Sequence, residues 1–272
     1  MRGGVELTAY LVNESRARRR DLARDRVAQD WIPATERASV RELWDDFAET
    51  VYPHDDLVVS LRGRFVLDTL SKSLVQHPDT VLVVCGAGFS SYPWLLPFSA
   101  ALEVDLPDIV SAKRQRAAQL VATGVVEERN VHYLALDLGT TEGRRQLVEQ
   151  ARELAGGRPV ALVAEGLIFY LSPDAARATA SLGAGLSAQT LTVLSYWPAA
   201  AADNRVLAAQ RQWFRRRSVP ENSTYLPREE IAFLLGGRVQ DHGPEDLQRQ
   251  YLGEVLVPET ELIPEYVATA VL

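Results

Sequence analysis

Thr80-Val81-Leu82-Val83-Val84-Cys85-Gly86-Ala87-Gly88-Phe89-Ser90-Ser91-Tyr92 is the stretch that sets the fold of this chain. Val81 to Val84 are four β-branched or leucine side chains in a row, the pattern of a strand buried on both faces. Gly86 and Gly88 then interrupt it, where a backbone without Cβ atoms can turn tightly and let a ligand approach. A second strand with an acidic end follows, Ala100-Ala101-Leu102-Glu103-Val104-Asp105. Open α/β sheets hold an adenosine ribose with a glycine turn followed by a carboxylate at about this distance. The expectation is a nucleoside-cofactor site. Ser91 stands where a dinucleotide fingerprint has its third glycine, which turns the reading away from NAD and FAD.

Working outward, strands and helices alternate from residue 80. Strands at 81–85, 100–105, 131–136, 160–164 and 190–196 are separated by helical segments at 107–123, 141–155 and 173–186, with a helix or irregular turn at 90–98. That order implies right-handed crossovers and a parallel sheet. Two closing strands near 237–242 and 251–257, read as a hairpin, bring the expected sheet to seven strands, with the last entering antiparallel. Before residue 80 the pattern is helical only, with helices near 38–51 and 55–76. After Trp197-Pro198 a polar helix runs to about 217, followed by a turn at 219–223 and a short helix at 227–235. The expected organisation is one domain over 1–272: a helical N-terminal extension (1–79), a cofactor-binding core (80–196), a lid that forms acceptor contacts (197–227) and closing strands (228–272).

Composition narrows the classes. The chain has 272 residues, 47% hydrophobic and 24% charged, and a net charge of −7, which argues against a nucleic-acid partner. The basic run Arg16 to Arg20 is diluted by Asp21, Asp25 and Asp30 and reads as a solvated helix face. The single cysteine, Cys85, lies inside the first strand, and four scattered histidines do not suggest a metal site. No signal peptide is apparent, and no apolar run approaches the ~20 residues of a membrane helix. A cytoplasmic protein without a membrane partner is the expectation.

Acids recur at the carboxyl ends of the strands. Glu103 or Asp105 is placed to accept the ribose hydroxyls. Asp137, beside Leu138, either takes the amino group of an adenine or caps the next helix. Glu165, before the apolar Leu167-Ile168-Phe169-Tyr170, must face water or a cationic ligand, because burying it unpaired is costly. Arg62 and Arg64, on the helix before the first strand, either reach an anionic group or form a surface pair.

With these residues placed, the chain resembles the leucine carboxyl methyltransferase superfamily, which includes protein-phosphatase carboxyl methyltransferases and bacterial O-methyltransferases of polyketide pathways. Leu7-Thr8-Ala9-Tyr10, Ser15-Arg16-Ala17 and the segment Asp21 to Ala28 are similar to its N-terminal signature. Leu61-Arg62-Gly63-Arg64-Phe65 is similar to its arginine motif, and Cys85-Gly86-Ala87-Gly88-Phe89 to its glycine motif. Leu102 to Pro107 with Ile109 and Lys113, Asp137-Leu138, and Ala164 to Pro173 complete the set. Where the family continues its glycine motif with an Asp-Thr-Arg-like run and a later arginine, this chain has Ser90-Ser91-Tyr92 and Leu95.

The resemblance implies a class I methyltransferase-like, doubly wound α/β fold and S-adenosyl-L-methionine as cofactor. It implies that Arg62 pairs with the methionine carboxylate and that Gly86 and Gly88 pass close to the cofactor. Asp105 would bind the ribose with Glu103 nearby, Asp137 and Leu138 would frame the adenine, and Glu165 would take the methionine amino group. The expected function is O-methylation of a small-molecule carboxylate or hydroxyl, in bacterial natural-product biosynthesis. Methylation of a peptide or protein carboxylate, and a cofactor-binding protein without transferase activity, are the alternatives. Trp197, Trp213, Arg216 and Tyr225 are the expected acceptor contacts, and Tyr170 and Tyr196 the positioning candidates. No general base is assigned. A carboxylate acceptor needs none, a phenol would benefit from one, and no histidine sits beside the cofactor motifs.

Overall fold

A computed structural model describes residues 5–187, 189–217, 219 and 223–272, except the side chains of Val5 and Glu6. Five helices precede the sheet: α1 (Val5–Arg18), α2 (Arg20–Ala23), α3 (Ala28–Trp31), α4 (Arg37–Thr50) and α5 (Asp55–Gln76). The alternating part follows as β1 (Val81–Cys85), α6 (Tyr92–Leu95), β2 (Ala100–Asp105), α7 (Pro107–Ala122), β3 (Val131–Ala135), α8 (Thr141–Ala155), β4 (Val160–Ala164), α9 (Pro173–Ala180) and β5 (Thr190–Pro198). The chain closes with α10 (Arg205–Arg215), β6 (Tyr225–Leu226), α11 (Arg228–Leu235), β7 (Arg238–His242), α12 (Pro244–Leu252) and β8 (Tyr266–Val271).

The strands form one sheet in the order β3-β2-β1-β4-β5-β8-β7, with the two-residue β6 paired to β5 off that path. The pairs among β1 to β5 are parallel, while β8 runs antiparallel to both β5 and β7. This is an α/β fold with a central, mostly parallel sheet. Its strand order reverses between β1 and β4, and that switch point is where open sheets leave a crevice for a ligand.

Period-two alternation divides the core into two layers. Leu82, Val84, Val163, Val193 and Val267 face α1, α4, α5 and α10. Val83, Cys85, Val104, Leu162, Leu194 and Ala268 face α8, α9 and α11. Every residue of β1, β2, β4 and β5 is buried, which explains why β1 and β4 read as continuous apolar runs. α8 begins where Thr140 accepts a hydrogen bond from Gly143 N at 3.0 Å, and it ends at Gly156 in a left-handed turn.

The C-terminal expectation needs correcting. Residues 251–257 are not a strand, because α12 runs to Leu252 and irregular chain follows. The buried Gln248 amide takes the place of a strand partner there. Its Oε1 accepts from Leu256 N at 2.9 Å and Val257 N at 3.0 Å, and its Nε2 donates to Val257 O at 2.8 Å. The last strand is β8, so the antiparallel entry holds, but α12 and a long loop replace the short hairpin connection. The helix expected over 173–186 stops at Ala180 and continues as a 3-10 turn over Leu182–Gly185. Of the turn expected at 219–223, residues 220–222 lie outside the described residues.

Candidate functional site

A cavity of about 470 Å3 opens at the carboxyl ends of β1, β2 and β4, within the size range of small-molecule sites. Its floor is the β1 turn. Gly86 and Gly88 have φ of +64° and +44°, and a Cβ on Gly86 would stand 2.9 Å from Leu167 Cδ1. That backbone conformation and that proximity both require glycine. The turn also fixes Asp105, whose Oδ2 accepts from Gly88 N at 2.7 Å and whose Oδ1 accepts from Leu106 N at 2.8 Å. Burial pushes the Asp105 carboxyl above its ordinary pKa, and the two N–H donors oppose that shift. Asp137, at the solvent rim, accepts from Gly139 N, and Leu138 is buried beside it.

The opposite side of the cavity holds a buried charge cluster. Arg16 Nη2 from α1 and Arg62 Nε from α5 each donate to Glu165 Oε1 at 2.6 Å, and the Tyr92 hydroxyl donates to Glu165 Oε2. Burial opposes the charge on Glu165, but Arg16 and Arg62 outweigh it and hold the carboxyl down at about 2. Arg62 Nη1 also donates to Glu265, just before β8, whose carboxyl burial pushes up against the pull of Arg62. Next to these, Asp55 at the start of α5 accepts from Ser15 Oγ at 2.6 Å and from the Tyr52 hydroxyl at 2.8 Å. Ser15 Oγ in turn accepts from Trp44 Nε1 at 2.7 Å. Asp55, Asp105, Asp137, Glu165 and Glu265 line the cavity against only Arg16 and Arg62 among the described residues. The cavity therefore favours a ligand of net positive charge.

The remaining wall is aromatic. Phe47, Phe169, Tyr170, Trp197 and Phe214 line it, with Phe169 stacked on Trp197 at 4.1 Å and 3°. Gln210 and Phe214 of α10, with Val219, close this end of the cavity.

Of the residues expected from sequence, Arg62, Gly86, Gly88, Asp105, Asp137, Leu138, Glu165, Tyr170 and Trp197 line the cavity. Five others do not. Glu103 lies on the same strand face as Asp105 but two residues deeper, where α7 covers it. It is 1% exposed, and Lys113 Nζ donates to it at 2.6 Å and to Ser90 Oγ at 3.1 Å. Tyr196 points to the other side of the sheet from Trp197, and its hydroxyl donates to Asp241 at 2.8 Å. Neighbouring residues on one strand cannot both face the cavity. Trp213 packs edge-on against Phe47 and donates to Asp46 at 2.8 Å, which ties α10 to α4. Tyr225 sits 5.8 Å from the Trp197 ring and outside the lining, and Arg216 is exposed.

His54 and His242 are also absent from the lining. Arg64 pairs with Asp68 one turn along α5 instead of facing the cavity.

Sequence reasoning missed Arg16, Tyr52, Asp55, Tyr92 and Glu265. Arg16 belongs to a basic run whose other members face outward, yet it is 3% exposed. Glu265 precedes a strand that the apolar pattern misplaced. Asp55 read only as the acidic first turn of a helix. A sequence signal did exist for Tyr92, which stands at the arginine position of the Asp-Thr-Arg-like run. Among the described residues no cluster of three or more His, Cys, Asp or Glu could hold a metal ion. No described helix is long and apolar enough to cross a membrane.

A model of the leucine carboxyl methyltransferase family matches residues 5–183. A protein of Mycobacterium sp. strain KMS, described as a candidate S-adenosyl-L-methionine-dependent methyltransferase, is 33% identical over 122 residues, covering 43% of this chain and 37% of its own. One of Mycobacterium ulcerans strain Agy99 with the same description is 31% identical over 150 residues, covering 52% and 43%. The matched stretch thus spans less than half the length of these relatives. Among solved structures, a candidate methyltransferase from Thermobifida fusca superposes with a TM-score of 0.61 at 14% identity, covering 85% of this chain and 88% of that one. A DUF574 family protein from Streptomyces avermitilis superposes equally well, with a TM-score of 0.61 at 14% identity over 85% and 90%. These two likenesses bear on the fold.

Proposed function

Because the chain belongs to the leucine carboxyl methyltransferase family and is of the S-adenosylmethionine-dependent type, we propose that it is an O-methyltransferase of a small-molecule acceptor. The observation that carries this reading is the charge balance of the cavity, five carboxylates against two arginines. S-adenosylmethionine has a sulfonium and an ammonium against one carboxylate, so its net charge complements such a site. The residues present fit it. Asp105, held rigid by the glycine turn, suits the ribose hydroxyls, and Asp137 with Leu138 suits the adenine. Glu165 remains ionised under burial and suits the ammonium group, while Arg62 and Arg16 suit the carboxylate.

When bound, the cofactor supplies an electrophilic methyl carbon. The chain supplies enclosure and alignment. Holding acceptor and methyl in line can contribute ~7–11 kcal/mol at best, and the aromatic wall excludes water from the acceptor side. A cavity of this size, walled by aromatic side chains on one side, suits a small molecule better than a protein terminus. Assignment to natural-product biosynthesis rests on the resemblance to polyketide-pathway enzymes.

Methyl-labelled S-adenosylmethionine, incubated with the protein and a library of phenols, alcohols and aliphatic and aromatic acids, tests the reading. Label should appear in an extractable ether or ester. Label that remains on protein or peptide would contradict a small-molecule acceptor.

A further inference from the structure

We infer that the acceptor compartment selects an uncharged, flat, hydroxyl-bearing molecule, such as a phenol, and that Tyr52 and Asp55 receive its proton. This rests on the methyltransferase reading and narrows it.

Charge comes first. Among the described residues Arg16 and Arg62 are the cations that line the cavity; both are bonded to Glu165, Arg62 also to Glu265, and the donors they have left are those assigned to the cofactor carboxylate. A carboxylate acceptor would enter beside Asp55 and Glu265 without a further described cation to meet it, and burying an unpaired charge is costly. An uncharged hydroxyl avoids that cost.

The second argument is donor direction. Trp44 Nε1 donates to Ser15 Oγ, so the Ser15 proton points to Asp55 Oδ2. The Tyr52 proton points to Asp55 Oδ1. With that proton committed, the Tyr52 oxygen can offer the cavity only lone pairs, which select a ligand that donates. A hydroxyl donates and a carboxylate does not. The third argument is shape. The stacked Phe169–Trp197 pair forms a flat wall, and two polar atoms on that side, Trp197 Nε1 and Gln210 Oε1, have no partner among the described residues. Trp197 is 3% exposed and Gln210 8%, and both line the cavity. An acceptor with a second polar group at its far end would satisfy them.

The chemistry balances within these residues. The acceptor oxygen forms its bond to the methyl carbon as the carbon–sulfur bond breaks, with that electron pair remaining on sulfur. The acceptor proton passes to the Tyr52 oxygen, and the Tyr52 proton moves to Asp55, which releases it to solvent after product leaves. Tyr52 is thus the group that touches the acceptor, and Asp55 acts through it. Asp55 is surrounded by Ser15 from α1, Tyr52, Arg62 and Asp56 from α5, and Tyr170 from the segment before α9, and burial raises its carboxyl toward a more basic range.

The test is titration of 2-naphthol and of 2-naphthoate into protein saturated with S-adenosylhomocysteine. 2-Naphthol should bind at least tenfold more tightly. Equal affinity, the reverse order, or no 2-naphthol binding overturns the inference. Tyr52→Phe and Asp55→Asn, both close in size to the native residues, should each weaken 2-naphthol at least fivefold, while S-adenosylhomocysteine affinity of Tyr52→Phe stays within twofold. In methyl transfer to 2-naphthol, the wild-type rate should fall on the acid side as Asp55 takes a proton. Asp55→Asn should lose that limb and rise instead toward the phenol's own pKa of about 10. An unchanged profile in the variant removes Asp55 from the proton path. If S-adenosylhomocysteine fails to bind the wild type, the methyltransferase reading has failed. The preference for 2-naphthol over 2-naphthoate, read by tryptophan quenching on the protein alone, then decides the acceptor inference separately.

Discussion

Glu165 receives hydrogen bonds from three elements far apart in sequence: Arg16 of α1, Arg62 of α5 and Tyr92 of α6. Its carboxyl sits at about 2 against an ordinary 4.5, so it adds stability above pH 4.5 that is lost as pH falls toward 2. The buried acids Glu103, Asp105 and Glu265 run the other way. Their raised values favour the protonated form, so their contribution is fullest in acid and declines as pH rises. Glu165→Gln should therefore show a smaller change in urea midpoint between pH 4.5 and pH 2 than the wild type. At the deeper pair, Lys113→Met should destabilise by about 3–5 kcal/mol, because it strands the Glu103 charge in the core. Lys113→Met with Glu103→Leu should recover most of that loss in the same denaturation assay. Residues at strand ends were legible in sequence because burial there demands a polar reason, which marked Asp105 and Glu165. Arg16 and Asp55 were not, since a basic run and an acidic helix start look the same whether they face water or a cavity.

At the scale of elements, local chemistry decided what could be read. α8 has its cap at Thr140, a buried stripe of Leu147, Ala151 and Ala155, and a glycine stop, so its bounds follow from sequence alone. Thr140→Ala should cost ~1 kcal/mol of stability, seen as a lower thermal midpoint, without altering ligand affinity. Residues 251–257 carry an apolar pattern suited to a strand, but Gln248 satisfies their backbone from α12. A side chain that substitutes for a strand leaves no periodic signal, which is why that strand was misplaced. Gln248→Ala would leave three backbone groups unpaired, the buried N–H and C=O of Val257 and the part-buried N–H of Leu256, and should destabilise by about 2–3 kcal/mol in urea unfolding. Gly86→Ala meets both a positive φ and the Leu167 side chain, and its strain of roughly 1–3 kcal/mol falls on the cavity floor. It should weaken cofactor binding as well as folding.

For the whole molecule, the alternating apolar runs were enough to read a parallel sheet, and the glycine turn was enough to place a crevice at its switch point. Closure of the sheet was not legible, because β8 lies beyond α12 and a long loop yet pairs with both β5 and β7. Glu265 enters the cavity on that strand's lead-in, so the last residues join the fold to the site. If this acid-rich cavity is the S-adenosylmethionine site, calorimetric titration of S-adenosylhomocysteine into the wild type and Glu165→Gln should show it. Loss of a charged hydrogen bond is worth roughly 1.5–3 kcal/mol, at least about tenfold in affinity. One-to-one binding to the wild type is expected, with at least about tenfold weaker binding to the variant. Absence of binding to the wild type, or equal affinity for the two proteins, would contradict that assignment.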